Sequence, residues 1–270
     1  MNLLGKMCAF FLRDFAIESS YRTAFVMQLA ESLFGVVSCF YLSRFVESAQ
    51  LDRSLPSGTS YFAFVLVGIA FFDYMNVSLN SFDEGLIQAR QNGTLEALLV
   101  TETSLPVMLV SSAVYPFVVM SLRTLVYFAW AAALFGFRPA GANWLGAAVV
   151  LGMSILAFIG LGILSAAYLL LFKQGNPGKW VLLAVSGILG GLMYPVSILP
   201  HWLRILARLL PITYSLEGLR AALLDGAGFA ALWPAIVKLT IFAAVLLPIS
   251  FYLFAWALRR TKINGTLSHF

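Results

Sequence analysis

Apolar residues in this chain come in long unbroken runs, separated by short polar stretches. Six runs fall at 23–45, 60–79, 107–137, 144–172, 180–198 and 233–258. A helix needs about 20 apolar residues to cross the hydrocarbon core of a bilayer, so each run predicts a transmembrane helix. The polar stretches between them are too short to hold a soluble domain. The predicted fold class is an all-α polytopic membrane protein, with 1–270 forming a single transmembrane domain.

Three segments break this pattern. Residues 1–22 place Asn2, Lys6, Arg13 and Ser20 on one helical face, with Leu3, Leu4, Met7, Phe10, Phe11 and Phe15 covering the rest. Such a narrow polar stripe predicts a helix lying in the membrane interface. Residues 199–228 are cut by Pro200 and Pro211, with Pro195 just before them. Here Trp202, Leu203, Leu206, Leu209 and Leu210 recur at helical spacing opposite Arg204 and Arg208. A second piece, 216–224, carries Glu217 and Arg220 at i,i+3 and stops before Gly226. Neither piece is long enough to span, so they read as short re-entrant or interfacial helices on the outer side.

The third segment, 82–104, concentrates polar residues. Asp83, Glu84, Gln88, Arg90, Gln91, Asn92, Thr94, Glu96 and Glu102 share it with Leu86, Ala89, Leu95, Leu98 and Leu99. Asn92-Gly93 interrupts a helical composition, and Thr94 is placed to cap a second helix. The expected form is helix, tight turn, helix. A hairpin this small buries little of its own surface, so it makes physical sense as a docking element.

Composition strengthens the membrane reading. The chain is 61% apolar and 11% charged, with mean hydropathy +0.90; soluble domains carry about 25% charged residues. The net charge of +5 reads as basic residues flanking spans rather than as a nucleic-acid surface, because no basic cluster has interleaved aromatics. With the N-terminus inside, Lys6, Arg13, Arg22, Arg90, Lys173, Lys179, Arg259, Arg260 and Lys262 fall on the cytosolic side, against Arg44, Arg53, Arg138, Arg204, Arg208 and Arg220 outside. Both termini are then cytosolic, and segment 82–104 is the first cytosolic loop.

Candidate chemistry is sparse. Charges within spans cost roughly 2.5–3.5 kcal/mol on insertion scales and are functional suspects. Glu31, Asp73 and Arg123 lie at similar depth on neighbouring spans: Asp73 is placed to pair with Arg123, and Glu31 to contact the same Arg123. A structural lock and a role in a pathway both account for them. Lys238 lies near an outer end, where it can snorkel. His201 and His269 are the only histidines, and Cys8 and Cys39 the only cysteines; neither set suggests a metal site or a disulfide framework. No catalytic constellation is legible. No G-x-x-x-x-G-K-[S/T] occurs, since Gly5-Lys6 and Gly178-Lys179 are followed by Met and Trp.

The string "EGLIQARQNGTLEALLVTETSLPVMLV" resembles the ATPase-coupling segment of the ABC type-two permeases, the membrane subunits of ATP-driven exporters. Gly93, Thr94, Leu95, Glu96, Leu98, Leu99 and Pro106 match that pattern as they stand. A second match is "LPHWLRILARLLPITYSLEGLRAALLDG", through Pro200, Trp202, Leu203, Pro211, Thr213, Tyr214, Glu217 and Arg220. The opening "LRDFAIESSYRTAFVMQL" resembles the family's connecting helix and first span. Thr103 departs from the pattern, where relatives often carry Pro.

The resemblance implies two six-span units, identical or paralogous, in the inner membrane, surrounded by lipid. Each contacts a separate ABC ATPase that binds ATP and magnesium; this chain itself holds no cofactor. The ATPase contact would be made by Glu84, Arg90, Gln91, Asn92, Gly93, Thr94, Leu95 and Glu96. In relatives the second and fifth spans line the pathway, which makes Phe71, Phe72, Tyr74, Met193 and Tyr194 candidate wall residues, though ordinary helix packing accounts equally for any one of them. The implied cargo is an amphipathic drug-like molecule, a lipid or a lipid-linked glycan, moved outward. The alternative, a self-sufficient transporter or channel using the intramembrane charges, predicts broken helices at mid-membrane in both halves; the interruptions here sit between the fifth and sixth runs.

Overall fold

The computed structural model describes residues 3–19, 22–48, 60–91, 105–139, 141–172 and 176–263. Among these the regular elements are all helical: α1 (Leu3–Ser19), α2 (Arg22–Ser48), α3 (Tyr61–Gln91), α4 (Leu105–Phe135), α5 (Trp144–Phe172), α6 (Pro177–Leu189), a 3₁₀ turn (Val196–Ile198), α7 (His201–Arg208), α8 (Pro211–Leu223) and α9 (Phe229–Ile263). Five of them, α2, α3, α4, α5 and α9, contain stretches long and apolar enough to cross a membrane. The chain is a multi-pass helical membrane protein.

The first, second, third, fourth and sixth apolar runs each fall on a long helix. The fifth does not. Run 180–198 is helical only as far as Leu189, and Gly191 then adopts φ +83°, the left-handed region that glycine enters without penalty. At 13 residues, α6 is about 20 Å long, short of the roughly 30 Å hydrocarbon core. Among the described residues, five helices are long and apolar enough to span, and α6 is a shorter apolar helix.

Helix α3 is the centre of the bundle. It packs on α2, α4, α5 and α8, and touches α6 only sparsely. Tyr74, Met75, Leu79, Phe82 and Leu86 along it are fully enclosed. The α3–α5 crossing is close because Gly162 has no side chain: a Cβ there would meet the Phe82 ring and lie 2.6 Å from the Ser78 carbonyl oxygen. At the same level the Ser78 hydroxyl donates to the Phe158 carbonyl at 2.7 Å. Small residues that bring backbones together are what helices need in lipid, where apolar association alone gives little. The most extensive pairing is α5 with α9. Large apolar side chains such as Met27, Phe34, Tyr41, Trp180 and Tyr252 point outward, as a lipid-facing surface requires.

Side-chain contacts set the helix directions. Thr261 of α9 donates to Leu170 of α5, and Ser165 of α5 donates to Asp83 of α3. The C-terminal ends of α3, α5 and α9 therefore share one pole of the bundle. At the opposite pole, Asn143 before α5 donates to the carbonyls of Ala222, in the last turn of α8, and Ala227, between α8 and α9. Helix α1 lies against α4, with the Phe11 ring edge-on to Tyr115 at 5.4 Å.

Candidate functional site

Three polar clusters interrupt the apolar interior. The first joins α2, α3 and α4. Arg123 Nη2 pairs with Glu31 Oε1 at 3.0 Å. Arg123 Nε donates to the Tyr127 hydroxyl at 3.0 Å, and that hydroxyl donates to Asp73 Oδ2 at 3.3 Å. The three predicted intramembrane charges are thus brought together, but Asp73 reaches Arg123 through Tyr127. Sequence reasoning missed Tyr127, although its i+4 spacing from Arg123 is a usable signal. Glu31 stays 66% exposed on the bundle's flank. Lys238 turns its ammonium over the Tyr214 ring, 4.6 Å from the centroid.

The second cluster sits at the pole holding the C-terminal end of α3. Lys179 Nζ lies 3.0 Å from Asp83 Oδ2, with the two side chains 13% and 3% exposed. Lys179 also donates to Asn80 Oδ1 at 3.0 Å. Asp83 Oδ1 accepts from the Ser165 hydroxyl at 2.9 Å. Asn176 caps α6 through the Lys179 backbone N–H, while its amide donates to Ser165 Oγ at 2.7 Å. The sequence places Asp83 and Lys179 in separate cytosolic loops. A contact between residues 83 and 179 has no local signature.

The third cluster lies at the opposite pole. Arg220 of α8 is 8% exposed. Its guanidinium donates to the carbonyls of Phe64 (3.1 Å), Gly191 (2.7 Å) and Leu192 (2.7 Å), and stacks 3.4 Å over the Phe64 ring. It ties the start of α3 to the turn after α6, giving a donor to the Gly191 and Leu192 carbonyls, which lie beyond the end of the helix. Gly68 makes room: a Cβ there would collide with the Leu192 carbonyl oxygen and lie 2.6 Å from Arg220 Nη2. Burial pulls the Arg220 pKa down to about 9, with Glu217 and Tyr61 acting to raise it; it remains charged at neutral pH. Glu217 does not use its i,i+3 spacing to salt-bridge Arg220, which points at backbone. Surrounding protein pushes the Glu217 carboxyl above the ordinary range, while Lys238, Arg208 and Arg220 draw it down.

The remaining candidates divide. Glu84 is exposed on α3, and Arg90 and Gln91 are its closing residues. Asn92, Gly93, Thr94, Leu95 and Glu96 lie outside the described residues. Among the wall candidates, Phe72 and Tyr194 are half-buried and Met193 is 43% exposed. Phe71 and Tyr74 are 4% and 1% exposed. Their rings stack on each other, and the Tyr74 hydroxyl bonds Ser121 of α4 at 3.1 Å. These two are enclosed within the bundle. Among the described residues, no cluster of three or more His, Cys, Asp or Glu is placed to hold a metal.

A multi-pass bundle with polar clusters at both poles and charges between its spans is the architecture of a polytopic helical membrane protein. The model of the ABC-2 type transporter family matches residues 9–224, most of the chain, and the chain belongs to that family. Its members are membrane permease components that work with an ATP-hydrolysing subunit. No curated protein matches the sequence significantly.

Proposed function

We propose that this chain is the permease subunit of an ATP-driven exporter, working as a dimer in the inner membrane with a separate nucleotide-binding subunit. ATP and magnesium bind in that subunit. Segment 82–104 is its docking site, on the cytosolic side with both termini. The cargo is an amphipathic drug-like molecule, a lipid or a lipid-linked glycan, carried outward.

One observation carries the reading beyond family membership. Helix α3 runs unbroken from the enclosed centre of the bundle to Gln91, well inside the polar segment 82–104. A helix gripped along most of its length moves with the bundle, so force applied near Gln91 reaches the core without passing through a loop. The C-terminal ends of α3, α5 and α9 share that pole, which supports placing the Arg259 and Arg260 end with the docking segment.

Co-purification tests this. A tagged chain extracted gently from its native membrane is expected to bring a P-loop ATPase with it, and Glu96→Arg and Gly93→Pro are expected to lose it. A folded, dimeric preparation with no ATPase would overturn the reading. The Glu31–Arg123–Tyr127–Asp73 chain would then favour a self-sufficient transporter.

A further inference from the structure

We propose that the buried Asp83–Lys179 pair is the link through which displacement of α3 is delivered to α6. The inference rests on the ATPase-coupled reading above and assigns the next step inside the chain. Both are positioning residues, acting on helices rather than on cargo.

Four observations converge on the pair. Helix α6 has little other attachment to α3, and Val181, Val185 and Ile188 along it are exposed. Lys179 stands in the first turn of α6, where the helix dipole disfavours a cation, so α6 itself gains nothing from a lysine there. The ammonium is gripped at two points one turn apart on α3, by Asn80 and Asp83, both at 3.0 Å; a one-residue slip of either helix would break this grip. Asp83 and Asn176 are each tied in turn to Ser165, which braces the link on α5. A buried ion pair often stabilises no more than a well-packed apolar pair would. Its added contribution is fixed register, the property a link under load needs.

The other end of α6 is held by Arg220, through the Gly191 and Leu192 carbonyls, to Phe64 of α3. Phe64 and Asp83 are nineteen positions apart, about 28 Å along α3 at 1.5 Å per residue. Helix α6 therefore hangs between two clasps. A pivot of α3 about its Phe64 end, where Arg220 holds it, swings the Asp83 clasp and so tilts α6 and its exposed face.

The test uses the complex purified with its co-extracted ATPase, in a Cys8→Ser background, because Cys8 is exposed and Cys39 buried. Spin labels are placed at Ile87→Cys with Tyr252→Cys, and separately at Val185→Cys with Tyr252→Cys, with labelled chain diluted by unlabelled chain; Ile87 is exposed on α3 and is not one of the named ATPase-contact residues. Distances are compared without nucleotide and after trapping with ADP and vanadate. In the otherwise unaltered chain, both pairs should shift. In Lys179→Met and in the isosteric Asp83→Asn, the Ile87 pair should still shift while the Val185 shift falls at least fourfold. Lys179→Arg, which keeps the charge, should retain it. An undiminished Val185 shift in the two neutral variants overturns the link, as does an Ile87 shift without a Val185 shift in the unaltered chain. No shift at either pair in the unaltered chain contradicts the ATPase-coupled reading itself, and the link with it.

Discussion

Arg220 shows how a single side chain can fasten three pieces of backbone. Its planar fork reaches carbonyls on α3 and on the turn after α6 simultaneously, which the point charge of a lysine cannot reproduce. Losing it leaves buried carbonyls without donors, at about 1–3 kcal/mol each. Gly68 belongs to the same contact, because any side chain there enters the space of the Leu192 carbonyl. Arg220→Lys and Gly68→Ala should each lower the thermal unfolding midpoint of the detergent-purified protein, corresponding to roughly 1–3 kcal/mol. Combined, they should cost clearly less than the sum, since both damage one contact. Fully additive losses would mean that the two residues act separately. The value of Arg220 is not legible from its neighbours: the i,i+3 spacing from Glu217 points to a local ion pair, while the observed partners are far away in sequence.

At the scale of elements, α5 and α6 make opposite uses of small residues. In α5, Gly162 lets α3 approach until the Ser78 carbonyl and Phe82 ring fill the space of a missing side chain. In α6, the small residues surround a turn: Gly190 brings α6 close to Ile212 of α8, and Gly191 supplies the left-handed residue. One face of α6 is exposed, at Val181, Val185 and Ile188. Gly162→Ala should therefore destabilise the purified protein by about 1–3 kcal/mol through overpacking, whereas Val185→Ala on α6 should stay within about 0.5 kcal/mol. A thermal melt of both variants checks this, and equal losses would contradict the packing described. Hydropathy locates the five long helices because length and greasiness are local properties. It extends the fifth run past Leu189 because Gly190 and Gly191 sit among apolar residues, and a hydropathy average does not register the backbone conformation that ends the helix.

At the scale of the whole molecule, the poles make an accessibility prediction. Glu84 near one end of α3 and Trp202 on α7 are both exposed, and lie toward opposite poles. In the proposed orientation, Glu84→Cys should react with a membrane-impermeant maleimide only in inverted vesicles. Trp202→Cys should react only from the outside of intact cells. Both measurements use the Cys8→Ser background. The reverse pattern would invert the orientation, and reaction of both from one side would contradict the crossing pattern. The basic-residue bias between loops points to this orientation only modestly, because it would leave Arg138, Arg204, Arg208 and Arg220 on the outer side.

The sequence by itself determined that this chain lives in a membrane, that it is helical, and which family it resembles. Those properties derive from composition, run length and contiguous motifs, all of which are local. It also placed Glu31, Asp73 and Arg123 at a common depth. Only the tertiary structure decided that Tyr127 stands between Asp73 and Arg123, that Phe71 and Tyr74 are enclosed, and that α6 is clasped at both ends to α3. These depend on which faces of separate helices meet. Helix rotation and register are set by packing across the whole bundle, and residues as far apart as 64 and 220 leave no trace of their contact in either neighbourhood.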